Sequence, residues 1–413
     1  MGFFSASEVQ SASRPNGKMY SCASCGLHRL ASTPRMKPFG NFSKGILNIG
    51  EAPGETEDEK GKPWQGAAGR LLKQMYRKLG IDLFEDCLNI NAVNCRPVNE
   101  KTGIGRVLSD KGETRPPTPE EINSCRSKVL KVITEQKPKV IVLFGAAAVA
   151  SFLGHRWKKD IAGISKWRGW TIPDRDFNAW VCPVWHPSFV QETDGKEVET
   201  IWRQDLERAL GMLEVPFPAW QDEHQLVEII ESPSQLDLFP ELVAIDYETT
   251  GLKPHAPGHK IICASVAYNE NKVQVFMMPE PKAAKRFVSL LADKQIGKMA
   301  HNMKFEDTWS AVYLNQPVQN WKWDSMQAAH ILDNRPGVSG LKFQAYVNFG
   351  VIDYDSDIES YLKGVDSKNA NSLNRIQELI STSNGAQKLM EYCGLDSLYE
   401  FRLAMKQQRS IYG

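Results

Sequence analysis

The stretch GEAPGETEDEKGKPWQGAAGRLL, residues 50–72, follows the apolar run Ile46-Leu47-Asn48-Ile49 and leads into AAGRLLKQMYRKLG, which reads as a helix. Strand, Gly/Pro loop and helix in that order form the unit of a parallel sheet covered on both faces. Three more short apolar runs, CLNINAVNC, KVIVLFG and AWVCPVWHP, are bounded in the same way by Gly, Pro or Asn, and TPEEINSCRSKVLKVITEQ reads as a helix between them. In such sheets chemistry gathers beyond the C-terminal ends of strands. Three of the four runs end there in Glu51, Cys95 and His186. The loop after the first run lacks the G-x-G-x-x-G and G-K-[ST] spacings of nucleotide loops, and five acidic residues from Glu51 to Glu59 would repel a phosphate. Trp64, beside a proline and followed by small residues, offers a flat face to a base.

At 413 residues the chain exceeds the size at which a single core keeps growing, so two domains are expected. The proline-rich, acidic stretch GMLEVPFPAWQDEHQLVEIIESPSQLDLFP, residues 211–240, places the boundary at its start and gives domains of residues 1–212 and 213–413. Residues 1–210 hold 31 Lys/Arg against 24 Asp/Glu, and residues 211–413 hold 19 against 25. A basic first half suits a polyanion, and an acidic second half suits solvent or divalent ions. No run is long and apolar enough to span a bilayer, and the first twenty residues carry no export signal, which predicts a cytoplasmic protein without a membrane partner. Met1-Gly2 with Ser5-Ala6 resembles a myristoylation signal only loosely. Eight cysteines without regular pairing favour a reducing compartment, where thiols serve metals rather than disulfides. The pair Cys22-Ala-Ser-Cys25 has no second C-x-x-C to complete a zinc knuckle.

The second half opens with the strands LVAIDYETTGL, IICASVAYN and KVQVFMMP and then reads as mostly helical. On the first of these, Asp246 and Glu248 are two apart, so both carboxylates project from one face. Like charges inside a strand need a cation. Farther on, AHNMKFEDTW brings Glu306 and Asp307, and in EYCGLDSLYEFRLAM Tyr392 and Asp396 are one helical turn apart. Carboxylates from three segments plus a tyrosine are what two-metal phosphodiester hydrolysis requires.

The motifs GEAPGETEDEKGKPWQGAAGRLL, NAVNCRP, TPEEINSC and HPS, in that order over residues 20–210, resemble those of the family 4, iron-sulfur uracil-DNA glycosylases. The resemblance implies an N-terminal three-layer α/β/α glycosylase fold with a parallel sheet. It implies that Cys22, Cys25, Cys95 and Cys125 hold a 4Fe-4S cluster, with structural zinc as the alternative. Cys87, Cys182, Cys263 and Cys393 read as small core hydrophobes. By the same resemblance, Glu51 would position or activate water, Asn91 would read the edge of an extruded base, and His186 would stabilise charge on the leaving uracil oxygen. Ala52, Pro53, Gly54, Trp64 and Ser188 would line the base site. Two departures stand out: Trp64 replaces the family's usual Phe, which leaves uracil or a modified pyrimidine as the base, and 29 residues separate Cys95 from Cys125, with VNEKTGIGRVLSDKGE as an insertion. HRWKKDIAGISKWRGW, residues 155–170, interleaves five Lys/Arg with three Trp and suits DNA contact, although a solvated face with core tryptophans has the same pattern.

From about residue 222 onward, D-x-E, then H-N-x-K-F-acid, then Y-x-x-x-D resembles the DEDDy 3'-5' exonucleases, especially the proofreading domain of family A DNA polymerases. WDSMQAAHILDN and SGLKFQAYVNFG are similar to segments between its second and third motifs. This implies a C-terminal ribonuclease H-like fold with a mixed sheet. Asp246, Glu248, Glu306 and Asp396 would bind two Mg2+ or Mn2+ ions, Tyr392 would orient water, and Asn302 would touch substrate. Glu306 stands where the family commonly has Asp, and Asp307 is the alternative. The expected function is thus a two-headed DNA-processing enzyme, uracil-DNA glycosylase and 3'-5' exonuclease. The alternatives are a non-cleaving base-recognition module tethered to a nuclease, or an RNA exonuclease of the ribonuclease D type. The expected partner is DNA, with a DNA polymerase as a further one. The sequence stops 17 residues after Asp396, which fits either a piece of a longer polymerase or a free-standing exonuclease.

Overall fold

The structure is a computed structural model describing residues 20–99, 112–157, 161–193, 195–366 and 368–413. The Met1-Gly2 opening, residues 100–111 of the insertion after Cys95 and the Lys158-Lys159-Asp160 part of the basic stretch lie outside the described residues. The chain divides into two compact units, Met1–Pro218 with Val347–Val351, and Ala219–Tyr346 with Ile352–Gly413.

In the first unit, strands β1 (Ile46–Gly50), β2 (Cys87–Asn91), β3 (Val140–Phe144), β4 (Ile172–Asp174) and β5 (Ala179–Val184) form one sheet in the order β2-β1-β3-β5-β4. The four strands read from sequence are parallel, with Ile46 beside both Cys87 and Val140. The fifth, β4, is an antiparallel edge on β5, so the sheet is mixed rather than wholly parallel. Its three residues are too few to show a period. Helices α1 (Glu55–Lys60), α2 (Ala67–Lys78), α3 (Pro119–Gln136), α4 (Gly145–Leu153), α5 (Ile164–Trp167), α6 (Pro187–Glu192) and α7 (Lys196–Gly211) connect and cover it. From β1 the chain moves to β2 on one side and then to β3 on the other. That reversal opens a crevice at the carboxyl ends of β1 and β3.

Every residue of β1, β2, β3 and β5 is buried, which explains their continuous apolar runs. Asn48 and Asn89 interrupt the pattern inside the strands, Asn91 ends β2, and the first two are satisfied. Tyr76 Oη donates to Asn48 Oδ1 at 2.8 Å, Asn48 Nδ2 to Asn89 Oδ1 at 2.9 Å, and Asn89 Nδ2 to the Leu83 carbonyl at 2.8 Å. This chain of polar groups ties α2 to β1 and β2, directly beneath the crevice.

The second unit holds a six-stranded mixed sheet of β6 (Val227–Ile229), β7 (Leu242–Thr249), β8 (Ile261–Asn269), β9 (Lys272–Met277), β10 (Gly297–Ala300) and β11 (Trp321–Asp324), ordered β11-β10-β7-β8-β9-β6. β7, β8 and β9 run antiparallel, while β10, β11 and β6 join by parallel pairings. Helices α8 (Lys285–Ala292), α9 (Met303–Tyr313), α10 (Ser325–Leu332), α11 (Leu341–Phe349, of which Leu341–Tyr346 belong to this unit), α12 (Glu359–Leu362), α13 (Ile376–Ile380) and the long α14 (Gly385–Tyr412) complete it. Along β7, Val243, Ile245 and Tyr247 enter one core with Phe276, Phe287 and Trp309. The alternate residues face α14, where Ser265 Oγ donates to the Cys393 carbonyl at 2.8 Å. Cys87, Cys182, Cys263 and Cys393 are all buried. Among the described residues no helix is long and apolar enough to cross a membrane.

Candidate active sites

In the first unit the crevice is built around Trp64. Its indole lies on the His186 ring, with centroids 5.6 Å apart and planes at 29°, and meets Phe144 edge-on at 5.2 Å. Trp64 has φ 59°, a left-handed backbone that side chains with a Cβ adopt at a cost. Two glycines make room for it. A Cβ on Gly69 would sit 2.1 Å from the Trp64 carbonyl oxygen, and one on Gly50 would sit 2.5 Å from Asn91 Oδ1 and 3.1 Å from Trp64 Cζ2. The end of β1 thus brings the indole edge and the Asn91 amide to the same backbone atom.

Glu57 fastens the loop that carries Trp64. Its carboxylate accepts from the Gly54 N–H at 2.9 Å and from the Gln65 N–H at 3.2 Å, which ties the start of the loop to its end. Burial pushes the Glu57 carboxyl up, opposed by the backbone N–H groups of Gly54, Trp64 and Gln65. Glu57 thus reaches back from the third position of α1 to the N–H of the N-cap Gly54, one half of the reciprocal pair that a Ser or Thr N-cap would complete. Ala52 and Gly54 are partly exposed at the crevice and Pro53 is buried.

Glu51 follows β1 directly, and burial raises its carboxyl above the ordinary range. His186 is the N-cap of α6. The Ser188 backbone N–H donates to His186 Nδ1 at 3.3 Å, and the Ser188 hydroxyl lies 2.8 Å from the same atom. A backbone N–H can only donate, so Nδ1 accepts and the ring proton sits on Nε2. Burial lowers the imidazole to about 4, which keeps it neutral at physiological pH. The carboxyl ends of β1, β2 and β5 therefore present a desolvated carboxyl, an amide and a neutral N–H donor around one aromatic face.

The four cysteines lie on three segments. Arg35 N–H donates to Cys95 Sγ at 3.2 Å, and the Asn94 backbone bonds to Cys125. Burial raises both thiols, Cys125 to about 12, and the charges of Cys22 and Cys25 raise each further. Four sulfurs near enough to repel, two of them receiving backbone N–H groups, fit a cation that stabilises thiolates. A single tetrahedral zinc would hold its sulfurs about 3.8 Å apart, from Zn–S bonds of about 2.3 Å. Among the described residues, the only group of three or more candidate ligands gathered within 4.8 Å is a different one, Asp246, Glu248 and Asp396. A donor set of four thiols is one that an iron-sulfur cluster or a structural zinc ion takes. Asp58 of α1 ties the N-terminal segment down by accepting from Ser32 and Thr33 N–H, both at 2.9 Å.

The basic-aromatic stretch is used largely inside the fold. Trp157 and Trp167 are buried, Arg156 pairs with Asp174 at 2.7 Å, and Arg168 pairs with Asp205 at 2.6 Å.

In the second unit, Asp246 and Glu248 of β7 and Asp396 of α14 bring one ligand atom each within 4.8 Å of one another. Burial, then the neighbouring carboxylates, raise Asp246 and Glu248 well above the carboxylate range, and Lys342 opposes the rise. Glu306, in the first turn of α9, is buried with Oε2 unpartnered, and after burial the charge of Asp246 raises it most. Asp307 points elsewhere: its Oδ1 accepts from Val318 N–H at 3.0 Å and Trp321 Nε1 at 3.3 Å. Tyr392 lies one turn before Asp396 and feels the charges of Asp396, Glu248 and Asp246.

Asn302 caps α9 in a left-handed conformation, φ 75°, and the carboxylate of Asp324 accepts from the N–H groups of Asn302 at 3.2 Å and Met303 at 3.1 Å. Asp324 therefore aims the turn that carries Glu306. Glu400, a turn beyond Asp396, is buried with Oε1 unpartnered and Oε2 accepting from Ser325 Oγ at 2.5 Å. Neither Asp324 nor Glu400 stood out by residue type or spacing.

Two family models match the chain in succession: the uracil DNA glycosylase superfamily over residues 37–207 and a 3'-5' exonuclease over residues 218–411. The chain is thus a fusion of a base-excision fold with a nuclease fold of the ribonuclease H-like class. A type-4 uracil-DNA glycosylase of Thermotoga maritima is 36% identical over 192 residues, covering 46% of this chain and 89% of that protein. One from Archaeoglobus fulgidus is 32% identical over 175 residues, covering 42% and 79%. Through its first unit the chain belongs to the type-4 uracil-DNA glycosylase family. Among solved structures, Brucella melitensis NrnC is 20% identical, covering 46% of this chain and 82% of that one with a TM-score of 0.35.

Proposed function

We propose that an N-terminal domain of residues 1–212 excises uracil or a modified pyrimidine from DNA, and that a C-terminal domain of residues 213–413 degrades DNA from its 3' end. The first reading rests on the placing of Glu51, Asn91 and His186 at the carboxyl ends of the strands, with Trp64 against Asn91 and His186, in a chain of this family. The indole of Trp64 stacks on the extruded base, Asn91 hydrogen-bonds its edge, and Ala52, Pro53, Gly54 and Ser188 shape the pocket. Glu51 takes up the proton of the attacking water. Its raised carboxyl suits an acid-base group better than a fully solvated one would. His186 donates its Nε2 proton in a hydrogen bond to the oxygen of the departing base. A neutral donor fixed by Ser188 stabilises the developing charge without first reorganising. Cys22, Cys25, Cys95 and Cys125 hold a 4Fe-4S cluster that is structural, fastening the N-terminal segment to the sheet.

The second reading is carried by the convergence of Asp246, Glu248 and Asp396. With Glu306 they hold two Mg2+ or Mn2+ ions, which when bound activate water and neutralise charge on the leaving oxygen. Tyr392 orients the water, and Asn302 contacts the terminal nucleotide. Glu306, not Asp307, is the fourth carboxylate, because Asp307 is consumed by Val318 and Trp321. DNA substrates fit an intracellular, DNA-associated protein, for which the cytoplasm is the proposed location, and association with a DNA polymerase is the partner to test by copurification.

One experiment separates the two heads. End-labelled, uracil-containing single-stranded DNA and, in parallel, end-labelled RNA are incubated with and without Mg2+. Abasic sites should form in both conditions and shortening from the 3' end only with metal. Intact uracil after incubation, or digestion of RNA but not DNA, overturns the corresponding half.

A further inference from the structure

Lys342, on α11, has a place in the exonuclease cluster that no metal-binding or water-orienting role accounts for. Its Nζ lies 2.5 Å from Asp396 Oδ1. It also stands over two aromatic faces, 3.9 Å from the ring centroid of Tyr354 and 4.0 Å from that of Tyr392. The Tyr354 hydroxyl donates to the same Asp396 oxygen at 2.6 Å. A carboxylate and two ring faces thus enclose the ammonium, and only 19% of the side chain stays exposed. Cation attraction to a ring face strengthens as water is excluded, so this is a built position for a positive charge.

The charge balance around it gives the position meaning. Around Asp396, burial opposes the negative charges of Asp246, Glu248 and Glu306. Lys342 is the cation that counteracts this at both Asp246 and Glu248. A lysine ammonium is a compact point charge on a flexible four-carbon stem, able to withdraw without disturbing the backbone. Arginine in its place would fork onto the carboxylate and hold it in one geometry.

We propose that Lys342 is a tethered counter-ion of the exonuclease cluster: it holds Asp396 while no divalent ion is bound and competes with the ions for that carboxylate. This rests on the reading of Asp246, Glu248 and Asp396 as metal ligands. Two consequences follow from electrostatics alone. Without Lys342 the empty cluster repels itself and the unit loses stability. With it, an incoming divalent ion meets a positive charge and a carboxylate already engaged, so affinity falls below what the four carboxylates would give.

The test measures metal binding and unfolding, not nuclease turnover, on the full chain. Mn2+ binding is followed by calorimetry and by the electron paramagnetic resonance of free Mn2+, for the wild type, Lys342→Met and Lys342→Arg. The Met variant should bind Mn2+ about tenfold tighter or more. It should unfold at a lower temperature than wild type without metal, and recover with Mn2+. The Arg variant, which keeps the charge, should bind no tighter than wild type. Should the Met variant fail to fold without metal, Lys342→Gln is purified in Mn2+, which is then removed by dialysis, and the same affinity gain is expected. Unchanged or weaker Mn2+ binding by the neutral variants overturns the counter-ion role and leaves the metal site standing. Absence of Mn2+ binding in every protein, wild type included, overturns the metal site itself and this inference with it.

Discussion

Trp64 and His186 stack with their ring centroids 5.6 Å apart, so the two rings proposed as the wall of the base pocket and its hydrogen-bond donor are held by each other. Replacing Trp64 by Phe keeps a ring on the imidazole, whereas Ala removes it. Trp64→Ala should lower the stability of the unit by about 3 kcal/mol, the usual cost of emptying a buried aromatic site, and cut uracil release by about a hundredfold. Trp64→Phe should stay within about tenfold of wild type in release. Denaturant titration and a base-release assay check the pair. Equal losses in both variants would show that the indole acts through its N–H rather than its face.

The pH dependence of base release should be set by Glu51 and not by His186. Glu51 is raised by burial, so its carboxylate is lost as pH falls through a midpoint above the ordinary carboxylate value. His186 is lowered to about 4 and stays neutral throughout that range. The sign for stability is opposite to that of a paired histidine. The unfolded ring binds a proton below about 6.5 and the folded ring does not, so His186 lowers stability as pH falls from about 6.5 towards 4. Release rates from pH 4.5 to 8 should show one acid limb, absent from the residual activity of Glu51→Gln and still present in that of His186→Asn.

Glu57→Gln should loosen the loop without unfolding the unit. The carboxamide can still accept, but a neutral acceptor holds two backbone N–H groups less firmly than a carboxylate, at a cost of about 1 kcal/mol. Hydrogen exchange at Gly54 and Gln65 should accelerate while that of β1 and β3 does not. If the exchange of Gln65 is unaltered, Glu57 is not the fastening.

Without metal, the second unit should be more stable at pH 5 than at pH 8. Asp246, Glu248 and Glu306 have folded values raised above their unfolded ones. Their protonated forms favour the fold, and that contribution is lost as pH rises through the folded values. Millimolar Mg2+ should remove the difference, because bound ions take the place of the protons. Thermal unfolding at the two pH values, with and without Mg2+, checks this, and Asp246→Asn should flatten the metal-free dependence.

The cysteines divide cleanly in their expected effects. Purified under anaerobic conditions, the protein should be brown and contain about four irons per chain. Cys125→Ala should lose iron and colour. Cys182→Ala, buried in β5 and outside the four proposed ligands, should keep both and lose only packing energy. A colourless zinc protein from iron-replete cells would reject the cluster.

Much of this architecture could be read from residue order. The runs at Ile46, Cys87, Val140 and Ala179 became the parallel strands, because a fully buried strand must be continuously apolar. The strands β6, β10 and β11 could not be read the same way. Gly297-Lys-Met-Ala300 includes Lys298, which is fully buried with Nζ donating to the Asp293 carbonyl, and a lysine in a four-residue segment erases the apolar signal. Val227–Ile229 falls in a proline-rich stretch that reads as a linker. At the sites, the motif residues announced themselves, while their supports did not. Asp324 acquires its role only when β11 lies beside the start of α9, and Lys342 and Tyr354 acquire theirs only when α14 lies across the sheet.

That helix has one more implication. Tyr392, Asp396 and Glu400 occupy successive turns of α14, and Gln407, two turns on, bonds to Trp323 Nε1 at 2.9 Å. A single inserted residue anywhere between Cys393 and Ser397 would rotate everything beyond it by about 100° and point those side chains away from the sheet. Point substitutions on its outer face, by contrast, leave the phase intact. This stretch should therefore tolerate changes of spelling and reject changes of length, behaving in descendants of the protein like a ruler whose marks can fade but cannot shift.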